Sequence, residues 1–398
     1  MTLLSWVLIL LGGYILGSLS PAFILGKLLE GIDIREAGNR NAGTVNVFRT
    51  LGLWPAVLTA FFDLGKGLFA MYGAQLLGAS PLLIHLAGCS AIIGHVFPFY
   101  LRFRGGQGVA TATAILIFYL IVFYRKGWLP WETLGFLALA VLSFFLIARK
   151  GDVVAVVILP IIAVFVLVFS PRPLFNNFIL SIMAYILFID ILNIRSEGLP
   201  AVKTEKARRE INWRLFLRPA AVILVFYYLK FDKNKTLVLI GSIALFFFIL
   251  DLIRLLSRTV NVFFFKKVKD FYKAKEYKKF SSMTIFLFAS FLTVLIFEKN
   301  IAVPALVFLI FGDFFSKLFG ILFGRTRIFA KTLEGSLAHF NACLIAGYIF
   351  SRFISLPMHI FLTGALVATL AESLPMGIDD NFSVAFLSAS SMFLFFVF

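Results

Sequence analysis

Apolar runs of about twenty residues, each long enough to cross a bilayer as a helix, recur along nearly the whole chain and number about fourteen. Between them, 61% hydrophobic and 14% charged residues over 398 positions leave too little polar surface for a water-soluble fold. In hydrocarbon every backbone N–H and C=O must be satisfied within the segment, so the runs are expected to be helices. The fold class is therefore all-α: a polytopic integral membrane protein with about fourteen transmembrane helices in two helical-bundle domains. The opening run from Leu3 to Leu29 lacks a basic start and a small-residue cleavage site, and is expected to stay as the first helix. Cys89 and Cys343 lie inside apolar runs without metal-ligand spacing.

The net charge of +17 marks loops and lipid headgroup contact in such a protein, so no nucleic-acid partner is expected. Helices near 3–27, 52–76, 80–101, 108–124, 131–148, 153–170 and 174–192 put Arg35, Arg40, Arg49, Arg102, Arg104, Arg149, Lys150 and Arg195 on one face. The other face receives Arg125, Lys126 and Arg172, so the richer face is expected in the cytoplasm at the cell membrane. Lys203, Lys206, Arg208, Arg209 and Arg214 interrupt the apolar pattern. They define an expected cytoplasmic linker, 196–216, between a first domain, 1–195, and a second, 217–398. The second domain is expected to hold helices near 217–231, 236–253, 281–298, 301–316, 337–353, 357–375 and 382–398. Phe263, Phe264, Phe265, Lys266, Lys267 and Lys269 suit an interfacial amphipathic helix.

Polar residues gather at a few places. Gly31 to Arg49 supplies asparagines, glycines and arginines, many donors for an anionic, hydroxylated small molecule, although a basic interhelical loop has the same composition. Asp63 and Lys66 are three apart and share a helix face within an apolar run. Gly94 to Thr111 sets His95, Arg102 and Arg104 beside Gly105, Gly106, Gln107 and Gly108, a flexible backbone next to guanidinium groups that suits phosphate. Further on, carboxylates Asp313, Glu334, Asp379 and Asp380 alternate with Lys331 and glycines, which suits a magnesium nucleotide, with helix caps and snorkelling ends as the plainer reading.

In order, Gly17-Ser18, Ile32 to Arg35, the Asn41, Gly43, Asn46, Arg49 pattern, Asp63 to Gly67 and Gly94 to Thr111 resemble the acyl-phosphate:glycerol-3-phosphate acyltransferase family over roughly residues 5–195. The resemblance implies a seven-helix enzyme that moves a fatty acyl group from acyl-phosphate to glycerol 3-phosphate, giving lysophosphatidate without a cofactor. It implies substrate binding by Ser18, Arg35, Asn41, Asn46, Arg49, Arg102, Arg104, Gly105, Gly106, Gln107 and Asn193, with His95 as the catalytic candidate. Three positions depart from the family pattern: Gln107 stands for the lysine of Gly-Gly-Lys-Gly, Asp152 for a serine, and Asp190 for the histidine before Asn193-Ile194.

The run Gly312-Asp313, then Lys331 to Ser336, then Asp379-Asp380-Asn381 resembles the CTP-dependent lipid kinases of the dolichol, phytol and diacylglycerol kinase group, and distantly phosphatidate cytidylyltransferase. Asp251 to Arg254 and Glu276 add to the likeness, as does the entry stretch Glu205 to Arg209. This implies phosphate transfer from CTP to a lipid alcohol, with Asp313, Lys331 and Glu334 catalytic and Mg2+ on Asp313, Asp379 and Asp380. Two readings stand side by side: a phospholipid-biosynthesis transferase with both activities, or a lipid kinase whose first domain is a degenerate, lipid-docking scaffold. A carrier fits less well, because the polar groups collect at one surface rather than at the midplane.

Overall fold

The computed structural model describes residues 2–197, 213–267, 276–329 and 331–397. Most of the expected linker, including Lys203, Glu205, Lys206, Arg208 and Arg209, lies outside the described residues, as does Lys269. Among the described residues the protein is all-α apart from one hairpin, in which Arg327–Ile328 pairs antiparallel with Lys331–Thr332. Among the described residues eight helical segments are long and apolar enough to span a membrane, and four shorter apolar helices of 10–17 residues accompany them. The run expected at 217–231 is two short helices, Trp213–Ala220 and Val222–Lys230, because Pro219 removes a helical donor and the chain turns at Ala221.

The chain divides into two compact units, Met1–Thr133 with Ala155–Ser196, and Leu134–Val154 with Glu197–Phe398. The first unit begins with α1 (Leu3–Ser18), α2 (Pro21–Glu30), α3 (Thr44–Leu51), α4 (Leu53–Leu76) and α5 (Pro81–Val96). It continues with α6 (Val109–Arg125), most of α8 (Gly151–Phe169) and α9 (Pro173–Glu197), whereas all but the first turn of α7 (Trp131–Ala148) belongs to the second unit. The opening apolar run breaks at Leu19 and Ser20, both extended, because Pro21 disfavours helix at the residue before it; the Ser20 hydroxyl then caps α2.

α1 and α5 approach backbone to backbone through small residues, the usual route to close helix packing in lipid. A Cβ on Gly94 would stand 2.1 Å from Tyr14 O, and one on Gly17 2.1 Å from Ala91 O. That contact fixes the end of α5, from which the glycine-rich loop folds back: Gly105 N donates to Val96 O (3.0 Å) and Gly106 N to His95 O (3.2 Å).

Arg35 ties the loop after α2 to the loop after α5. Its Nη1 donates to Leu101 O and Arg104 O, both at 2.9 Å, while Nε and Nη2 grip Asp33 at 2.9 and 2.6 Å. The Arg35 hydrogen bond holds the Asp33 carboxyl below its ordinary value of 3.8, against a smaller opposing effect of burial. Asn46, buried on α3, draws in the rest of the first loop by donating to Ile34 O, Ala37 O and Asn41 O.

In the second unit Phe136 packs on Tyr348, and Phe144 on Phe319, while Arg325 Nη2 donates to Leu146 O and Ile147 O at 2.9 and 2.8 Å. Residues 134–154, from the first half of the sequence, thus belong to this unit's core. The buried helix Lys299–Val307 runs into a π-helical turn, Phe308–Gly312, and then into Asp313–Phe323. His339 fills the space beside Gly312, where a Cβ would lie 2.5 Å from Nε2.

Gly94→Leu is expected to overpack the α1 and α5 contact and cost about 1–3 kcal/mol or more, read as a lowered thermal midpoint in detergent. An unchanged midpoint would contradict the contact. Because Asp33 has a depressed folded pKa, its contribution is complete above the unfolded value of 3.8 and fades as pH falls through and below it. Protease access to residues 31–43 should therefore rise on acidification in the native chain and be high at every pH in Asp33→Asn.

Candidate functional site

Among the described residues, each unit holds a cluster of polar side chains that bears on function. In the first, α4 carries Asp63 and Lys66 on one face, 2% and 0% exposed. Lys66 Nζ donates to Asp63 Oδ1 (2.9 Å) and to Leu19 O (3.4 Å), and lies against His95 Nδ1. Thr111 of α6 donates to Asp63 O at 2.7 Å. His95 Nε2 faces the glycine-rich loop: a Cβ on Gly106 would stand 2.3 Å from it and 2.7 Å from Ala42 O. The sequence reading named His95, Asp63 and Lys66 separately; only the fold joins them.

The other expected substrate residues divide into committed and open groups. Arg35 and Asn46 spend their side chains on backbone carbonyls and, for Arg35, on Asp33. Ser18 is buried and donates to Tyr14 O within α1 at 2.8 Å. Gln107 and Asn193 form a reciprocal amide pair, Nε2 to Oδ1 at 2.7 Å and Nδ2 to Oε1 at 3.4 Å, while Tyr185 OH donates to Gln107 O at 2.7 Å. The residue in the family's lysine position therefore carries no charge and is held by α9. Asn41 contributes its backbone, donating to Asn39 Oδ1 and accepting from Asn46. By contrast Arg40, Arg49, Arg102 and Arg104 are exposed. Arg40 and Arg102 sit at φ +61° and +55°, a strained backbone for residues with a Cβ, within the two loops that Arg35 joins.

In the second unit a cavity of about 360 Å³ is lined by Arg218, Asp313, Lys317, Lys331, Glu372, Asp379 and Asp380 among others. Asp313 pairs with Arg218 and with Lys317 (2.6 Å), and Lys331 bridges Glu372 and Asp380 at 2.7 Å each. Burial pulls the Lys331 ammonium down, but Glu372 and Asp380 outweigh it and hold it above the ordinary lysine value. Asp379 Oδ1 accepts from Asn381 N and Nδ2 at 3.0 and 2.7 Å.

Glu334, expected to be catalytic, is not among the cavity-lining residues and accepts from Arg325 N and Thr326 N, securing the turn before the hairpin. Among the described residues no group of three His, Cys, Asp or Glu side chains is placed to hold a metal ion. Asp313, Asp379 and Asp380 supply the oxygen chemistry magnesium prefers, but each is engaged with a cation or an amide. Arg218, Lys317 and Glu372 were missed as site residues. Lys317 was the most readable of them, four residues after Asp313 on one helix face.

Ser282 also lines the cavity, and a buried network sets it there. Arg254 reaches Asp251, Asn261, Glu276 O and Lys279 O, and Glu276 Oε1 accepts from Ser282 Oγ at 2.6 Å.

Residues 7–196 match the family described as glycerol-3-phosphate acyltransferase. A glycerol-3-phosphate acyltransferase of Prochlorococcus marinus (strain MIT 9301) is 35% identical over 190 residues, 46% of this chain and 88% of that protein. Another, of Shouchella clausii (strain KSM-K16), is 37% identical over 174 residues, 43% of this chain and 82% of that one. A crystal structure of an integral membrane glycerol 3-phosphate acyltransferase in its glycerol 3-phosphate form is similar at 27% identity and a TM-score of 0.38, over 48% of this chain and 90% of that one. Through its first half, the chain belongs to the glycerol-3-phosphate acyltransferase family.

Proposed function

We propose that residues 7–196 transfer a fatty acyl group from acyl-phosphate to glycerol 3-phosphate at the cytoplasmic face of the membrane, and that the second unit phosphorylates a lipid alcohol with CTP. The first reading rests on family membership together with three exposed arginines, Arg40, Arg102 and Arg104, on the two loops that Arg35 holds together, and a fourth, Arg49, on α3. In the reaction an ester C–O bond forms to the glycerol oxygen, and the bond between the acyl carbon and the phosphate oxygen breaks. The hydroxyl proton ends on the released phosphate.

Two phosphorylated reactants carry several negative charges, and bringing them together needs cations that are not already spent. Arg40, Arg49, Arg102 and Arg104 fill that need, while the absence of side chains at Gly105 and Gly106 lets the loop pack against His95 and the end of α5. Holding both reactants in attack geometry is the larger part of such catalysis.

The kinase reading rests on one observation: Asp313, Lys331, Asp379 and Asp380, widely spaced in sequence, line one cavity with Arg218 and Lys317. A nucleotide polyphosphate entering there would take over the cations that the carboxylates now neutralise. Magnesium on Asp313 with Asp379 or Asp380 would screen phosphate charge during transfer.

Purified full-length protein given labelled glycerol 3-phosphate and acyl-phosphate should make lysophosphatidate. Gly106→Ala, whose Cβ meets His95 and Ala42 O, should lower the rate about 10²-fold or more. No product from the native chain would favour the scaffold reading of the first domain, which the neutral Gln107–Asn193 pair also favours. With labelled CTP and a panel of diacylglycerol, polyprenol and phytol, the native chain should phosphorylate one of them. Asp313→Asn and Lys331→Met should each abolish this, and retained activity in both would overturn the assignment.

A further inference from the structure

The Asp63, Lys66 and His95 cluster fixes which nitrogen of His95 carries the proton. An ammonium group has three N–H donors and no acceptor. Lys66 directs its donors to a carboxylate oxygen of Asp63, the carbonyl of Leu19 and Nδ1 of His95, so its set is complete. The group facing a donor must accept, and Nδ1 therefore presents its lone pair.

The competing arrangement has Nδ1–H donating to Asp63 Oδ1, 3.4 Å away, which would leave Nε2 as a base. It would set that N–H against an N–H of Lys66, donor facing donor, while the same carboxylate oxygen already holds Lys66 at 2.9 Å. A neutral imidazole whose Nδ1 accepts carries its proton on Nε2. Nε2 lies against Gly106 in the glycine-rich loop. Among the described residues it has no hydrogen-bond partner.

We infer that His95 enters this site as a fixed hydrogen-bond donor through Nε2–H, aimed at an anionic oxygen of the reactants, and does not take the proton of the attacking hydroxyl. Lys66 and Asp63 are the positioning residues that lock its tautomer. The inference deepens the acyl-transfer reading: the ligand atom it recognises is a phosphate oxygen, or the acyl carbonyl oxygen as it becomes anionic.

The tautomer is read without any turnover. The full-length chain, labelled with 15N-histidine in lipid nanodiscs, carries four histidines, and His95→Gln identifies the signal of interest. A protonated Nε2 with an unprotonated, hydrogen-bonded Nδ1 is expected, and Lys66→Met should abolish the preference; a protonated Nδ1 in the native chain overturns the inference. The kinetic arm uses two amides. Glutamine places its N–H₂ near the position of Nε2, whereas asparagine places it near Nδ1. His95→Gln should keep turnover within about tenfold of native, and His95→Asn should lose about 10²-fold or more. Equal loss in both overturns the donor role. If the native chain makes no lysophosphatidate, the acyl-transfer reading fails while the nitrogen shifts still decide the tautomer.

Discussion

Lys66 is fully buried in a helix apolar enough to lie in the bilayer, where an ammonium without partners would cost several kcal/mol. Its three acceptors come from α4 itself, from the break between α1 and α2, and from α5. One satisfied charge thus pins three segments at the level of the glycine-rich loop. The close approach of α1 to α5 brings the helices near enough for Lys66 to reach both. Removing any one partner would leave a polar group stranded in hydrocarbon, which makes the cluster a strong determinant of where His95 points.

Much of the fold was legible because hydropathy and punctuation agree. The helix expected at 131–148 is observed at those residues, and the run at 80–101 ends where Pro98 and the arginines begin. What periodicity alone does not reveal is a break inside an apolar run, such as Leu19-Ser20, or a Pro219 that divides one run into two short helices. At the site, the arginines were readable as cations but not by their commitments. Arg35 looks like its neighbours in sequence, yet its carbonyl partners are 66 and 69 residues away. Asn46 likewise turns inward to carbonyls that only the folded loop brings within reach.

The second unit illustrates the same division. Asp313, Lys331, Asp379 and Asp380 announce themselves by sitting among glycines and apolar residues, whereas Arg218 is set in a basic stretch where one more arginine carries no signal. Glu372 is read only from its partner Lys331, 41 positions earlier. In this cavity each named cation faces a carboxylate, so the charges are held close together in low dielectric without leaving any one of them isolated. Glu334 shows the converse: an acidic residue in the same motif whose position suits it to backbone amides instead.

The π-helical turn at Phe308–Gly312 sits immediately before Asp313. Such a turn takes up one residue more than an ordinary helical turn, and each helical residue is worth about 100° of rotation about the axis. The insertion therefore acts as an angular offset between a hydrocarbon-adapted stretch and a polar one on what is otherwise a continuous rod. Upstream of it the side chains can follow the repeat that packing demands, and downstream Asp313, Ser316 and Lys317 are dialled round to their electrostatic partners. The extra residue lets one helical segment meet two unrelated periodic requirements.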